Sequence, residues 1–362
     1  MMRVVICWTE VSGYMGACWR ELSARAGLDV SVVAFAPAGG ASSAPFDTSV
    51  IRGVRCETLS PEQRENADHV AAVVIARNPD VIVLCGWAVK SYVALATNPT
   101  LTNCRFVLAL DTPLKENLRQ RIGKQWMRGF LKRMDAAIVA GERSANLAAY
   151  LGVPPERICR GMYAIDVDAM GAAAEMRAAG GAAWPRRFLL VGRYVPEKAI
   201  DRLIEAYRLY RAGLNGSDGD PWPLTCCGKG DLAALLRGVD GVRDIGFVQP
   251  AELPRVLADH GALILPSRYE PWGAALVEGC AAGLPVIATE ECGASLDVVR
   301  SFHNGLLTSA EDPAGLARAM LWMHQHADRL PDMGKRSREL ASAFSAQRWA
   351  DRWQDLIERL PP

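Results

Sequence analysis

Along this chain, short apolar runs alternate with stretches in which apolar positions recur every three or four residues. Residues 4–7, 30–35, 81–84, 106–110 and 136–140 are almost wholly aliphatic, the pattern of strands buried on both faces. Between them, 69–77 reads as a helix. In 142–154, Leu147, Tyr150 and Leu151 share one helical face, and Gly152 then Pro154 stop the helix. Strand–helix alternation predicts a parallel sheet covered by helices on both sides.

The alternation then breaks. The stretch "AIDVDAMGAAAEMRAAGGAAW" is rich in Ala and Gly, carries no strand signal, and reads as the join between two domains. Beyond it the pattern restarts, with strands at 188–191, 224–227, 262–265 and 285–288. Ile200, Leu203, Ile204 and Tyr207 form a helix stripe, and "GLNGSDGDPWP" reads as a surface loop. The last stretch sets Trp349, Trp353, Leu356, Ile357 and Leu360 on one helical face, too apolar to be left in water. The expected organisation is a first α/β domain over 1–167, a linker over 168–185, a second α/β domain over 186–340 and a terminal helix within 341–362. Two such domains facing each other put strand C-terminal ends across a cleft, where open α/β sheets bind ligands.

Composition narrows the function classes. In 362 residues, half are hydrophobic, 22% are charged and the formal net charge is +1, so global charge gives no case for nucleic acid. The ten cysteines form no C-x-x-C or zinc-like cluster and read as buried, reduced thiols of a cytoplasmic protein. The first apolar run is interrupted by Glu10, too short for a signal peptide, and no run is long enough to span a bilayer.

Two stretches carry candidate chemistry. In "LLVGRYVPEKAIDRLIEAY", a strand ends at Val191, Gly192 turns, Arg193 follows and Lys198 stands at the start of the next helix. A guanidinium and an amine beside a helix N-terminus suit a diphosphate. In "RYEPWGAALVEGCAAGLP", Glu270 lies in a turn and Glu278 lies about 10 Å further along a helix that starts near Gly273, at 1.5 Å per residue. That span matches a pyrophosphate carrying a sugar at each end. Carboxylates accept well from vicinal diols, and the free N–H groups near Gly273 and Ala274 suit phosphate oxygens.

These stretches, with "GFVQPAELPRVLADHGALILPSRYEPWGAALVEGCAAGLPVIAT" and "HNGLLTSAEDPAGLARAM", resemble the donor-binding half of family 4 retaining glycosyltransferases. The shared signature is E-x7-E followed by G-x-P-V-I, with G-R…E-K upstream. The resemblance is strong over 188–321 and holds only in outline before it. It implies the GT-B fold, two Rossmann-like α/β domains facing across a cleft, with the C-terminal helix crossing back to the first. It implies that Arg193 and Lys198 neutralise a donor diphosphate beside Gly192, that Glu278 binds ribose, and that Glu270 contacts the transferred sugar. Backbone amides of Trp272, Gly273, Ala274 and Ala275 would hold sugar and phosphate, and Gly246, Phe247 and Val248 would lie against the base. It also implies a nucleotide-sugar donor and same-face transfer without a protein base. From the residues themselves, no metal is expected, and the lack of a G-x-G-x-x-G in the first strand–helix unit weighs against a dinucleotide cofactor.

In the first half the pattern departs from the family's. Gly13 and Gly16 are separated where paired glycines are common, leaving Gly13 as the better phosphate-loop candidate. His69 reads as solvated. Asp111 follows a strand end, where it serves either a sugar or the cap of the next helix. Asp166-x-Asp168 and Asp218-x-Asp220 imitate a metal motif outside the setting it needs. Lys115, Arg119, Arg121, Lys124, Arg128, Lys132 and Arg133 surround a Leu118–Ile122–Trp126 stripe, read either as a solvated basic helix face or as a contact with anionic membrane. The expected protein is a transferase moving a hexose to a glycan or lipid-linked acceptor, cytoplasmic or peripheral on the inner membrane face. The alternatives are a non-catalytic sugar-nucleotide-binding partner and another enzyme of the same fold, such as an epimerase.

Overall fold

The computed structural model describes residues 1–37, 39, 44–181, 183–214 and 219–361. Two compact units divide the chain. Met1–Ala38, Phe46–Ala164 and Ala346–Pro362 form one; Gly39–Pro45 and Ile165–Ser345 form the other.

The first unit holds seven strands: β1 (Met2–Glu10), β2 (Leu28–Phe35), β3 (Cys56–Leu59), β4 (Val81–Cys85), β5 (Arg105–Leu110), β6 (Ala136–Val139) and β7 (Ile158–Arg160). Their order is β3-β2-β1-β4-β5-β6-β7, every pair parallel. The second holds β8 (Phe188–Val191), β9 (Leu224–Cys227), β10 (Val242–Asp244), β11 (Ala262–Leu265), β12 (Val286–Thr289) and β13 (Gly305–Thr308), in the order β10-β9-β8-β11-β12-β13 and again all parallel. Central strands such as β4, β5 and β11 are buried along most of their length because helices cover both faces. In each sheet the winding reverses once, between β1 and β4 and between β8 and β11. Ligands of open α/β sheets gather outside strand C-terminal ends at such reversals.

All nine strands expected from apolar runs are present. The four that the pattern missed, β3, β7, β10 and β13, are the four sheet edges. An edge strand keeps one side toward solvent, so its sequence (CETL, ICR, VRD, GLLT) lacks the apolar run.

The Ala/Gly-rich stretch taken as a linker is largely a helix, Val167–Ala179, capped by Asp166, and it belongs to the second unit. Its Met170, Gly171 and Ala173 are buried where it packs on helices Leu253–Ala258 and Ala274–Ala281. Small residues on every side let it approach closely and also erase the apolar stripe that would have marked it. The surface-loop reading of 213–223 falls partly outside the described residues.

The C-terminal helix, Ala346–Glu358, returns to the first unit and packs on helix Gly13–Ser23. Trp349 and Trp353 stack at 4.4 Å and donate their indole N–H groups to Met162 O at 2.9 Å and Gly161 O at 3.1 Å. All ten cysteines are free thiols, and Cys56, Cys85 and Cys159 are only half-buried. Among the described residues, no helix is long and apolar enough to cross a membrane.

Candidate functional site

The second unit's reversal point assembles most of the residues singled out above. After β8 the chain turns through Gly192, against which Gly228 packs so closely that a Cβ on Gly228 would lie 1.8 Å from Gly192 O. Arg193 follows, exposed, with no hydrogen bond or ion pair among the described residues. Lys198 closes a 3-10 turn, Pro196–Lys198, rather than opening the helix itself. Ala199, left-handed at φ 52°, separates it from helix Ile200–Ala212. The Lys198 ammonium pairs with the Glu270 carboxylate, and each side chain is 13% exposed. Burial lowers Lys198 to about 8. A facing carboxylate favours the charged amine and so works in the opposite direction.

One residue that sequence reasoning missed holds this pairing together. Arg268 N and Tyr269 N donate to Glu197 O at 2.8 and 3.2 Å. The Arg268 guanidinium grips both Asp201 oxygens at 2.8 and 2.6 Å, donates to Pro196 O at 3.1 Å, and reaches Glu311. It therefore ties the loop that carries Lys198 to the loop that carries Glu270. Its signal in the sequence is only an Arg at a strand end, and partners 67 and 43 residues away cannot be paired without the fold.

Glu270 is anchored through its backbone by Gly293, whose N–H donates to Glu270 O at 2.9 Å. Trp272 is buried against Phe344, ring centroids 5.5 Å apart, and the Cys292 thiol donates to Trp272 O at 3.0 Å. Gly273 sits at φ 102°, where a Cβ would lie 2.6 Å from Cys292 Sγ and 3.1 Å from Glu270 Cγ, so only glycine fits this turn. Helix Ala274–Ala281 starts here with no side-chain cap, which leaves its first amides, including those of Ala274 and Ala275, to water or a ligand.

Glu278 lies one turn further on, half-buried among Val277, Gly279 and Cys280. Among the described residues it makes no hydrogen bond or ion pair, and burial raises its carboxyl to about 7. It faces Cys227 at the end of β9, whose thiol is pushed up to about 11, first by burial and also by the Glu278 charge. Val248 N–H is directed at the same Cys227 sulfur. Phe247 and Val248, half-buried, follow β10 after Gly246, which turns at φ 73° and accepts from Gly228 N at 2.9 Å. Cys227 thus draws the Phe247–Val248 segment and Glu278 to one place. The expected base-side and ribose-side residues are neighbours.

In the first unit, Asp111 follows β5 and is not a helix cap. Asn117 caps helix Leu118–Trp126 instead, accepting from Gln120 N at 2.9 Å. Asp111 accepts from the Tyr163 hydroxyl at 2.9 Å. Its carboxyl is raised by burial, with the Tyr163 bond opposing. Tyr163 is framed edge-on by Trp8 and Tyr14, each at 6.0 Å. Gly13 opens helix Gly13–Ser23 behind the Ser12 cap. Gly16 lies inside that helix, where a Cβ would lie 1.8 Å from Val50 O, so packing explains it. His69 is half-buried rather than solvated, and its Nε2 has no partner among the described residues.

The second-unit arrangement can bind a dianion through Arg193, Lys198 and open helix amides, and can accept hydrogen bonds from hydroxyls on either side. Among the described residues, no three His, Cys, Asp or Glu side chains are grouped to hold a metal ion. Asp166 is occupied as a helix cap, accepting from Ala169 N at 2.9 Å, and Asp218 lies outside the described residues.

Comparison with known proteins agrees with this reading of the fold. Residues 175–340 match the family model for glycosyl transferases group 1, and residues 11–160 match the glycosyl transferase 4-like domain. The glycogen synthase of Mycobacterium tuberculosis is 32% identical over 143 residues, 38% of this chain and 33% of that protein. The D-rhamnosyltransferase WbpZ of Pseudomonas aeruginosa is 29% identical over 159 residues, 42% of this chain and 39% of that protein. The matched stretch thus spans about a third to two fifths of these relatives' own length. Among solved structures, Anabaena HepE in complex with UDP superposes with a TM-score of 0.75 at 18% identity, covering 99% of this chain and 100% of that one.

Proposed function

Because the chain belongs to the family 4 glycosyltransferases of the GT-B type, we propose that it moves a hexose from a nucleoside diphosphate sugar to a glycan or lipid-linked acceptor. UDP-sugars and GDP-sugars are the favoured donors, and envelope polysaccharide is the favoured product. The observation that carries this is the end of the second sheet's reversal. It holds a buried Lys198–Glu270 pair together with Arg193 and a desolvated Glu278, neither of which has a hydrogen bond or ion pair among the described residues. A desolvated carboxylate without a partner is costly to keep and is satisfied by ribose hydroxyls. The UDP in the HepE complex supports the donor class, and the name of the rhamnosyltransferase supports transfer of a hexose-type sugar.

In this reading Glu278 accepts from the ribose diol, and Phe247 and Val248 flank the base. Arg193, Lys198 and the amides of Gly273, Ala274 and Ala275 hold the diphosphate. Glu270 turns from Lys198 toward the hexose hydroxyls. The bond from the anomeric carbon to the β-phosphate oxygen breaks, and the acceptor hydroxyl oxygen bonds that carbon on the same face. Its proton passes to the departing phosphate, and because the new bond forms on the face the phosphate leaves, configuration is retained. Negative charge grows on the β-phosphate in the transition state, where fixed cations and helix-end amides stabilise it most. Asp111, oriented by Tyr163, holds an acceptor hydroxyl. The nucleotide sugar is a substrate, and the reading assigns no metal and no further cofactor.

The test is thermal unfolding with UDP, GDP, ADP, dTDP, CDP and NAD, each in excess. A ligand at a hundred times its dissociation constant adds about 2.7 kcal/mol. One nucleoside diphosphate is expected to raise the midpoint and NAD is not. The matching sugar donor is then expected to release that diphosphate in the presence of acceptor. A shift with NAD alone overturns the reading.

A further inference from the structure

The basic stretch after Asp111 folds as two short helices, Leu118–Trp126 and Arg128–Lys132, broken at Met127. The first is mounted with its polar side inward. Gln120 accepts from Lys115 N and Glu116 N at 2.7 and 3.0 Å and donates to Pro113 O at 2.9 Å. Lys124 bonds Tyr150 O and lies over the Tyr150 ring at 4.5 Å. Gly123 and Met127 complete this inner side, half-buried. The apolar side faces out: Leu118 is 71% exposed, Ile122 52% and Trp126 87%. At four-residue spacing these three side chains form one ridge. Burial of apolar surface drives folding, so a helix that presents its ridge to water and its polar face to the domain is built for a second surface.

Charge identifies that surface. Residues 115–134 carry seven cations and one acid, Glu116. Arg119 and Arg121 flank the ridge on either side, and Arg128 and Lys132 continue beyond it. All four are exposed and make no hydrogen bond or ion pair among the described residues. Beside the helix lies a cavity of about 580 Å³, lined by Lys124, Arg128, Lys132 and Arg157 together with apolar Leu131 and Val153. Cations over an apolar floor match a phosphate head on a hydrocarbon chain. A second copy of the chain would bring like charges together, so self-pairing is disfavoured.

We propose that this face is a membrane-docking surface that seats on an anionic phospholipid bilayer, with the Leu118–Ile122–Trp126 ridge in the acyl boundary and a lipid phosphate in the neighbouring basic cavity. The ridge lies in the interface plane as an amphipathic helix does. Docking here goes beyond the transferase reading and does not depend on it, since it rests on this face alone.

The experiment is co-sedimentation of the full chain with vesicles of phosphatidylcholine alone and of phosphatidylcholine with 30 mol% phosphatidylglycerol. Wild type is expected to pellet with the anionic vesicles, less as salt rises, and not with the zwitterionic ones. Arg119→Glu/Arg121→Glu/Arg128→Glu spares Lys124, which holds the helix in place. It is expected to weaken binding by more than about fivefold per cation. Leu118→Ser/Trp126→Ser is expected to lose anionic-vesicle binding by at least about tenfold. Every substituted residue is exposed, so unchanged melting temperatures confirm that the variants are folded. Wild-type binding by either variant overturns the proposal, as does equal sedimentation with both vesicle types or with neither. Loss of a dimer in Leu118→Ser/Trp126→Ser without vesicle binding by wild type assigns the ridge to a second copy and also overturns it.

Discussion

Replacing Glu278 by Gln tests the central assignment by an effect on stability whose sign depends on pH. In the folded chain burial raises this carboxyl from an ordinary 4.5 to about 7. An acid whose folded pKa is raised favours folding fully below its unfolded pKa and loses that contribution as pH rises through the folded one. Between 4.5 and 7 the unfolded chain has released a proton that the folded chain keeps. At 1.36 kcal/mol per unit, wild type at pH 8 carries a penalty of about 3 kcal/mol, and at pH 5 less than about 1. The amide of the variant does not titrate. Urea unfolding of both proteins at pH 5 and pH 8 is expected to show the variant gaining about 2 kcal/mol on wild type across that range, whatever constant offset the amide introduces. The same variant is expected to lose nucleoside diphosphate binding, because an amide cannot accept from both ribose hydroxyls as a carboxylate does. Isothermal titration of wild type at pH 6.5 is expected to show proton release on binding. If the stability gap between variant and wild type is the same at both pH values, Glu278 is not a desolvated carboxylate. If binding survives in the variant, it is not the ribose residue.

Lys198→Ala is expected to abolish donor turnover while the fold persists, measured by diphosphate release and circular dichroism; a near-normal rate removes Lys198 from the site. Wild-type activity is expected to fall as pH rises past about 8, where the buried ammonium loses its proton. Gly273→Ala forces a Cβ against Cys292 and Glu270 at a left-handed φ, which costs about 1–3 kcal/mol and shows as a lowered urea midpoint with weaker donor binding. Asp111→Asn is expected to cut turnover at least about tenfold with nucleotide affinity unchanged, and a matched loss of affinity would place Asp111 at the donor instead.

Arg193 and Glu270 stood out in the sequence because each follows a strand end, Lys198 because it precedes a helix stripe, and Glu278 because it is a carboxylate inside an otherwise apolar helix. The fold turned the expected helix start at Lys198 into a 3-10 turn. Asp111 was legible as a residue but not as a role. The next helix begins beyond it with Asn117 as the cap, and the Tyr163 partner of Asp111 is 52 residues away. Arg268 was invisible for the same reason.

The alternation of apolar runs and helical stripes, by itself, determined two parallel α/β domains and a terminal helix needing a partner, because burial on both faces demands a continuous apolar strand. It could not mark β3, β7, β10 and β13, since an edge strand buries too little to leave a pattern. Nor could it mark helix Val167–Ala179, whose small residues pack closely without a stripe. Which way the basic helix faces was likewise a tertiary decision. Its sequence displays both an apolar and a polar side, and only contacts made by Gln120 and Lys124 turn the polar side inward. Sequence periodicity reports which faces differ. Long-range contact decides which of them meets the protein.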